Sequence, residues 1–422
     1  VGAVKDTARA DEVTLDEIER ADRAIRALIR PTPILSAGEV SRRVGAPVAL
    51  KAECLQRTGS FKVRGAANKI TGLAAPELAA GVVAASAGNH AQAVALAARL
   101  RGARADLVMP ADAPLAKVAA VRAYGGEVHL VEGSYDEAGE VARELADRDG
   151  KTLIHAFDDP KVVAGQGTIG LEIAREAPAT RLIVAALGGG GMVAGTAIAA
   201  KAKLPGVRVV GVQAEACAPY PPSLEAQKPI GARAASTICD GIAVKRPGEL
   251  TLPLVAEHVD EVVTVTDDEV AEAMVLLLER SKLVVEGAGA ASVAALMAGK
   301  VRTPDEGEVC AVLSGGNVDA SRLVECIRLG ETAAARRLVL VTVVPDRPGA
   351  LARLLRVVAE QGANVIDVVH LREGVDLHVR ETAVRLVLQT EGRRHCQELI
   401  AAVEAEGFAT RVERSVQAES AA

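Results

Sequence analysis

Hydrophobic residues in this chain follow two successive rhythms. From about residue 48 to residue 313, short runs that are apolar at nearly every position alternate with alanine-rich stretches of helical length. The runs Val48–Lys51, Gly81–Ala85, Ala105–Met109, Glu127–Val131, Leu182–Leu187, Val207–Val212 and Glu308–Leu313 predict strands. A strand without a polar face must be covered on both sides, as parallel strands flanked by helices are. An α/β layered architecture is therefore expected. Ahead of it, Thr14-Leu15-Asp16-Glu17 fits a capping box, with Thr14 as N-cap and Glu17 three residues on. That helix should run to about Ile29, where Pro31 and Pro33 stop it.

The rhythm changes after Gly330. Residues 331–337 are polar and alanine-rich with no apolar period, and read as a linker. Beyond them Leu338–Val344 predicts a strand, and Leu351, Leu354, Leu355 and Val358 fall at i, i+3, i+4 and i+7 of a helix. Gly362 ends that helix. Asn364–Leu371, an alternating strand through Val384, Leu386 and Leu388, a helix from about Arg393 to Glu406 and a strand at Ala409–Val412 follow. Strand-helix-strand-strand-helix-strand is the ferredoxin-like order. The expected division is a main domain over residues 1–330, a linker over 331–337 and a second domain over 338–416. The second domain carries no nucleophile, metal cluster or glycine loop, so it reads as a binding or regulatory module.

Composition narrows the class. A chain of 422 residues exceeds one typical hydrophobic core. A net charge of -6 from 49 basic and 55 acidic residues, with no basic run, offers no footprint for nucleic acid or an anionic membrane. The opening residues lack the apolar core of a secretory signal. Leu182–Ala200 is uncharged and long enough to span a bilayer. Four consecutive glycines interrupt it, each costing roughly 1 kcal/mol in a helix interior, so strand, turn and helix is the better reading. Six scattered cysteines without a CxxC pair are expected to be reduced core residues of a cytoplasmic protein. The seven histidines show no ligand spacing, and no metal is expected.

Four short motifs carry chemistry, all at or just beyond the C-terminal ends of predicted strands, where open α/β sheets bind ligands. In Thr58-Gly59-Ser60-Phe61-Lys62-Val63-Arg64-Gly65, Ser60 suits a helix N-cap and places Lys62 in the first turn. The positive end of the helix dipole and partial burial both disfavour an ammonium there, which makes the amine a nucleophile toward an aldehyde. Alone, the motif reads better as a solvated surface lysine. Gly188-Gly189-Gly190-Gly191-Met192 opens a helix after a strand, so its backbone amides can converge on a phosphate. A flexible turn, or a dinucleotide fingerprint through Gly189, Gly191 and Gly195, is the alternative. Ser86-Ala87-Gly88-Asn89-His90 offers amides and a hydroxyl to a substrate carboxylate, or is a plain strand-to-helix turn. Ser314-Gly315-Gly316-Asn317 follows the strand Glu308–Leu313, and a plain turn is again its alternative.

Taken together, SFKVRG, SAGNH, GGGG and SGGN stand in the order and spacing of the fold-type-II pyridoxal-phosphate (PLP) enzymes. Residues 15 to 330 resemble the threonine dehydratases (threonine ammonia-lyases) of that group. The resemblance implies a two-subdomain tryptophan-synthase-β-like fold, with a small subdomain at about 52–155 inserted in the larger one. It implies that Lys62 bonds the cofactor aldehyde and later takes the substrate's α-proton, while Phe61 flanks the ring. Asn89 would bind the ring hydroxyl, Gly188, Gly189, Gly190, Gly191 and Met192 the phosphate, and Ser314 the pyridine nitrogen. Ser86, Ala87, Gly88, Asn89 and His90 would hold the substrate. The implied reaction is deamination of L-threonine to 2-oxobutanoate and ammonia, with some action on L-serine, in the setting of isoleucine biosynthesis or threonine catabolism.

The tail resembles an ACT domain, with Asp346-Arg347-Pro348-Gly349 and Gly362-Ala363-Asn364-Val365 in the positions of its ligand loop. That implies Asp346, Pro348, Gly349 and Asn364 as regulatory residues, an amino-acid effector such as isoleucine or valine, and a homo-oligomer (dimer or tetramer). A purely dimerising domain is the alternative. Two other identities compete for the whole chain. Serine racemases share the lysine motif, but place a serine base where this chain has Ala87. Their metal loop needs carboxylates where Gln213 and Pro219 stand here. A non-catalytic amino-acid-sensing regulator would not be expected to keep Lys62, the glycine loop and Ser314 intact.

Overall fold

The computed structural model describes residues 13–86, 88–133, 135–233, 236–372 and 377–413. The chain forms two compact units that divide between Arg322 and Leu323. Among the described residues no helix is long and apolar enough to cross a membrane.

The first unit is built on two sheets. Its strands are β1 (Ile34–Ser36), β2 (Val48–Lys51), β3 (Val82–Ala85), β4 (Ala105–Pro110), β5 (Glu127–Val131), β6 (Thr152–Leu153), β7 (Thr180–Ala186), β8 (Arg208–Ala214), β9 (Glu261–Val265) and β10 (Glu308–Val312). The larger sheet has the order β1-β2-β10-β7-β8-β9 and the smaller β5-β4-β3-β6. Every pairing is parallel except β1 with β2. Central β10 sets Cys310 opposite both Ala49 and Ile183, and its last four residues are fully buried. That burial is why these segments carry no polar face. The small sheet lies wholly between β2 and β7 in sequence, so the chain crosses from one sheet to the other twice.

The helix Pro160–Glu176 is the strut of this unit. It packs on one side against the helix Lys62–Thr71 and on the other against the helix Gly191–Lys203. Glycines permit both approaches: a Cβ on Gly165 would stand 2.6 Å from the Arg64 carbonyl oxygen, and one on Gly195 2.4 Å from that of Val163. Between strut and sheet lies a buried charge network. Arg64 donates to Glu53 (2.8 Å from Nε) and to Glu172 (2.7 Å from Nη1), Lys51 donates to Glu172 at 2.5 Å, and the Thr32 hydroxyl donates to Glu53. Glu53 and Glu172 thus neutralise two buried cations, and the burial is tolerated because each charge is paired and hydrogen-bonded.

Several local expectations are adjusted. Thr14 caps the first helix by accepting the Glu17 amide at 3.3 Å, but the Glu17 carboxylate turns to Arg20 and Lys161 instead of completing a capping box. That helix ends at Ile25. Ser60 is not an N-cap: its backbone bridges to Gly315, and Phe61 occupies the capping position without a side-chain bond. The stretch Leu182–Ala200 is strand, turn and helix, and all six cysteines are buried and free.

The second unit has β11 (Arg337–Pro345), β12 (Asn364–Leu371), β13 (Glu381–Gln389) and β14 (Ala409–Val412) in one antiparallel sheet of order β12-β13-β11-β14. The helices Ala350–Glu360 and Arg393–Ala405 bury Leu354, Val358, Leu399 and Val403 against it. Split pairing of this kind is the ferredoxin-like arrangement. A helix over Ala320–Ala333 carries the chain into the unit, so the first three residues of the expected 331–337 linker are helical.

Candidate active site

The four motifs converge. Each follows a strand of the first unit: Lys62 comes after β2, Ser86–His90 after β3, Gly188–Met192 after β7 and Ser314–Asn317 after β10. The first and last are laced together directly. Phe61 N–H donates to the Ser314 carbonyl at 3.1 Å and Gly316 N–H to that of Gly59 at 2.8 Å. Asn317 Nδ2 reaches the Thr58 carbonyl at 2.8 Å.

Lys62 opens the helix Lys62–Thr71, and its Nζ donates to the Ala156 carbonyl at 3.0 Å. The side chain is half-buried. Burial lowers its pKa to about 8, with the Glu286 carboxyl working the other way. The Phe61 ring lies 5.1 Å from the ammonium. The segment after Ala156 is also the wall of the glycine loop. A Cβ on Gly189 would stand 2.2 Å from the Phe157 ring, and one on Gly190, whose φ is +93°, 2.1 Å from the Tyr220 hydroxyl. Tyr220 and Thr251 both donate to the Gly189 carbonyl, at 3.1 and 2.7 Å, and so fix the loop. The amides of Gly188, Gly189 and Gly190 donate to no described protein acceptor and stand before the N-terminus of the helix Gly191–Lys203, whose first turn buries Met192.

The asparagine loop joins from the third side. Ser86 Oγ accepts the Gly88 amide at 3.1 Å, and Asn89 opens the helix Asn89–Leu100. The Asn89 amide is oriented at both ends: its Oδ1 accepts from Asn317 at 2.7 Å and its Nδ2 donates to Glu286 at 2.7 Å. His90 is buried with Nε2 on the Ile154 carbonyl at 2.8 Å, and burial, then the nearby Lys62, lowers its pKa to about 3, so the ring is neutral. Ala87 lies outside the described residues. Ser314 is buried, and its hydroxyl donates to the Ala288 carbonyl at 3.3 Å.

Glu286 was not singled out from the sequence, yet it sits at the centre. Burial, reinforced by Asp240, raises its pKa to about 7 against the opposing bond from Asn89. Gly315 is a glycine for its sake, since a Cβ there would stand 2.0 Å from Glu286 Oε1. Phe157, Tyr220 and Asn317 were likewise unassigned. Glycines crowded at 189, 190 and 315 announce that bulky neighbours sit close, without naming them.

The positions expected to be regulatory lie in the second unit. Asp346 forms a two-point ion pair with Arg372, at 2.7 and 3.2 Å, in the turn that includes Pro348. Gly349 takes φ +88° as the cap of the helix Ala350–Glu360, and Asn364 begins β12 with its Nδ2 3.3 Å from Gln389.

An amine made nucleophilic by burial, a glycine turn with unsatisfied amides at a helix N-terminus, and a buried hydroxyl without charge fit a phosphate-bearing aldehyde cofactor. Buried Ser60 and Thr58 hydroxyls beside them have no protein partner, as expected at a site shaped for a polar group. The comparisons agree. Residues 25–315 match the family model "Pyridoxal-phosphate dependent enzyme" and residues 338–395 the model "ACT domain". The chain is 42% identical over 400 residues to an L-threonine ammonia-lyase of Thermotoga maritima, covering 95% of this chain and 99% of that one. It is 43% identical over 391 residues to an L-threonine ammonia-lyase of Geobacter sulfurreducens, covering 93% and 97%. Among solved structures, a threonine deaminase from T.th. superposes with a TM-score of 0.69 at 42% identity, over 72% of this chain and 99% of that one. Maize serine racemase superposes with a TM-score of 0.72 at 35% identity, over 75% and 97%. The lysine, the glycine turn with its free amides and the uncharged serine thus stand in the same fold as those proteins, and the chain belongs to the pyridoxal-phosphate dependent enzymes, in the group that carries a C-terminal ACT domain.

Proposed function

We propose that the protein deaminates L-threonine to 2-oxobutanoate and ammonia by eliminating water across Cα and Cβ, with L-serine as a second substrate. The observation that carries the reading is Lys62, an amine depressed to about pKa 8 between the glycine loop and Ser314, in a chain aligned along 95% of its length with an L-threonine ammonia-lyase. Gly188–Met192 would hold the cofactor phosphate, Phe61 and Asn89 the ring, and Ser314 the ring nitrogen. When bound, PLP supplies the electron sink for the α-carbon. Lys62 would be the base that removes the α-proton. Ser86, Gly88 and Asn89 orient the substrate. Loss of the β-hydroxyl with its electron pair, taken up as water, leaves an enamine that tautomerises and hydrolyses to the 2-oxoacid and ammonia. A serine hydroxyl donates no full charge to the ring nitrogen, which suits prompt elimination over a long-lived carbanion.

Racemisation is the lesser reading. Gln213, where a racemase metal loop needs a carboxylate, is buried, with its amide on the Leu187 carbonyl at 3.3 Å and accepting from Tyr220 N–H at 3.0 Å. Both of its polar groups serve the fold. Regulation falls to the second unit, with an amino-acid effector such as isoleucine or valine held at Asp346, Pro348, Gly349 and Asn364 in a homo-oligomer. Steady-state 2-oxoacid production from L-threonine and L-serine, with and without isoleucine and valine, tests the reading. Absence of 2-oxobutanoate from PLP-loaded protein would refute it.

A further inference from the structure

We propose that Lys117 is a substrate-recognition residue whose ammonium exchanges its partner Asp240 for the α-carboxylate of the incoming amino acid. The inference rests on the deamination reading for the substrate and adds which cation receives it.

Lys117 lies on the helix Leu115–Ala123, which follows β4 of the small sheet. Asp240 begins the short turn Asp240–Ile242, in the part of the chain between β8 and β9 of the large sheet. Their 2.7 Å ion pair therefore spans the two sheets. Its two ends are unequal: the Lys117 side chain is 14% exposed and Asp240 60%. An ammonium largely withdrawn from water needs an anion in every state. An exposed carboxylate gains little from a pair and is readily rehydrated. The cation is thus the fixed member and the anion the exchangeable one.

Location says which anion would replace it. A Cβ built on Gly88 would stand 3.6 Å from Lys117 Cδ and 3.9 Å from its Nζ. The ammonium therefore rests against the loop that offers its amides and Ser86 to a substrate, ahead of the N-terminus of the helix Asn89–Leu100, which also favours negative charge. On the other side, Ile242 packs on the glycine loop, 3.1 Å from where a Cβ of Gly188 would be, and Gly241 lies beside Glu286. The pair joins the substrate wall to the cofactor wall. Among the described residues, the charged groups acting on Lys62, Lys117 and Glu286 are one another, Asp240 and Asp319. Of the two cations, Lys62 is committed to the reacting carbon, leaving Lys117 for the carboxylate.

The test uses the PLP-loaded full chain with L-threonine and L-threoninamide, which lacks the carboxylate. Lys117→Met should raise KM for L-threonine by roughly ten- to a hundredfold, the loss expected of a charged hydrogen bond, with kcat changed far less, and should erase the preference for acid over amide. Lys117→Arg should restore most of that preference. Asp240→Asn should shift KM the other way, because the competing anion is gone. A merely structural bridge predicts that Lys117→Met and Asp240→Asn raise KM alike with the preference intact, and that result overturns the proposal. Should the wild type form no 2-oxobutanoate, the deamination reading fails by itself. Calorimetric titration with the same two ligands then still decides the role of Lys117, by weaker binding in Lys117→Met and tighter binding in Asp240→Asn, or by their absence.

Discussion

Lys62 gives up its proton closer to physiological pH than a free lysine does, and this has a kinetic signature. The neutral form captures an aldehyde, so cofactor uptake by the apoprotein should quicken about tenfold per pH unit below neutrality. It should level off above about pH 8; stopped-flow absorbance checks this, and a rise continuing to pH 10 would show an ordinary lysine. Lys62→Ala should lower turnover by a thousandfold or more, roughly the scale of losing a positioned base, while the far-ultraviolet circular dichroism stays unchanged. Glu286 makes a separate prediction. Its pKa is raised to about 7 by burial, above the ~4.3 of an unfolded glutamate, so the folded state binds the extra proton. Its contribution to stability is present below about pH 4 and is lost as pH rises through about 7. Glu286→Gln should flatten that part of the melting-temperature profile of the apoprotein. At this scale the motifs holding Lys62, the glycine turn, Asn89 and Ser314 stand out in the sequence because each is local. Glu286, Phe157 and Tyr220 do not, since each meets its motif from a distant part of the chain.

The helix Lys62–Thr71 is more than a carrier for one lysine. Arg64, in its first turn, is tied to Glu53 and Glu172, which makes the network the anchor of the reactive end. Arg64→Met would leave Glu172 to Lys51 and strand Glu53, buried, with no cation at all among the described residues. The expected loss is about 3–5 kcal/mol, read by urea denaturation of the apoprotein. A loss below about 1 kcal/mol would mean that water replaces the guanidinium. In the second unit Leu354 is fully buried, and Leu354→Ala should cost that unit about 2–5 kcal/mol. Elements with an unbroken apolar run were readable to within two residues. The strands β1, β6 and β9 were missed because they are short or lie at sheet edges, where half-exposed positions blur the pattern. Ser60 misled for a different reason: a serine two residues before a helical lysine resembles a cap until the backbone pairing with Gly315 is known.

For the whole molecule, the main consequence is a separation of tasks. A chain ending after Ala333, which keeps the helix Ala320–Ala333 whole, should retain kcat within a few-fold of the full enzyme and lose its response to isoleucine or valine. Undiminished response in the truncated enzyme would sink the assignment of regulation to the second unit. Within the first unit, the insertion of the small sheet between β2 and β7 has an effect on timing. Both strands of chain that cross between the sheets pass through the site, one carrying Lys62 and the other Ala156 and Phe157, and Lys62 Nζ bonds the Ala156 carbonyl where they meet. A swing of the small sheet on these crossings would pivot at the reactive amine. Ser86–His90 would travel with it, while Gly188–Met192 and Ser314 stayed with the large sheet. If Ser86–His90 hold the substrate and Gly188–Met192 the cofactor, such a swing would loosen the grip on product while leaving the grip on cofactor intact.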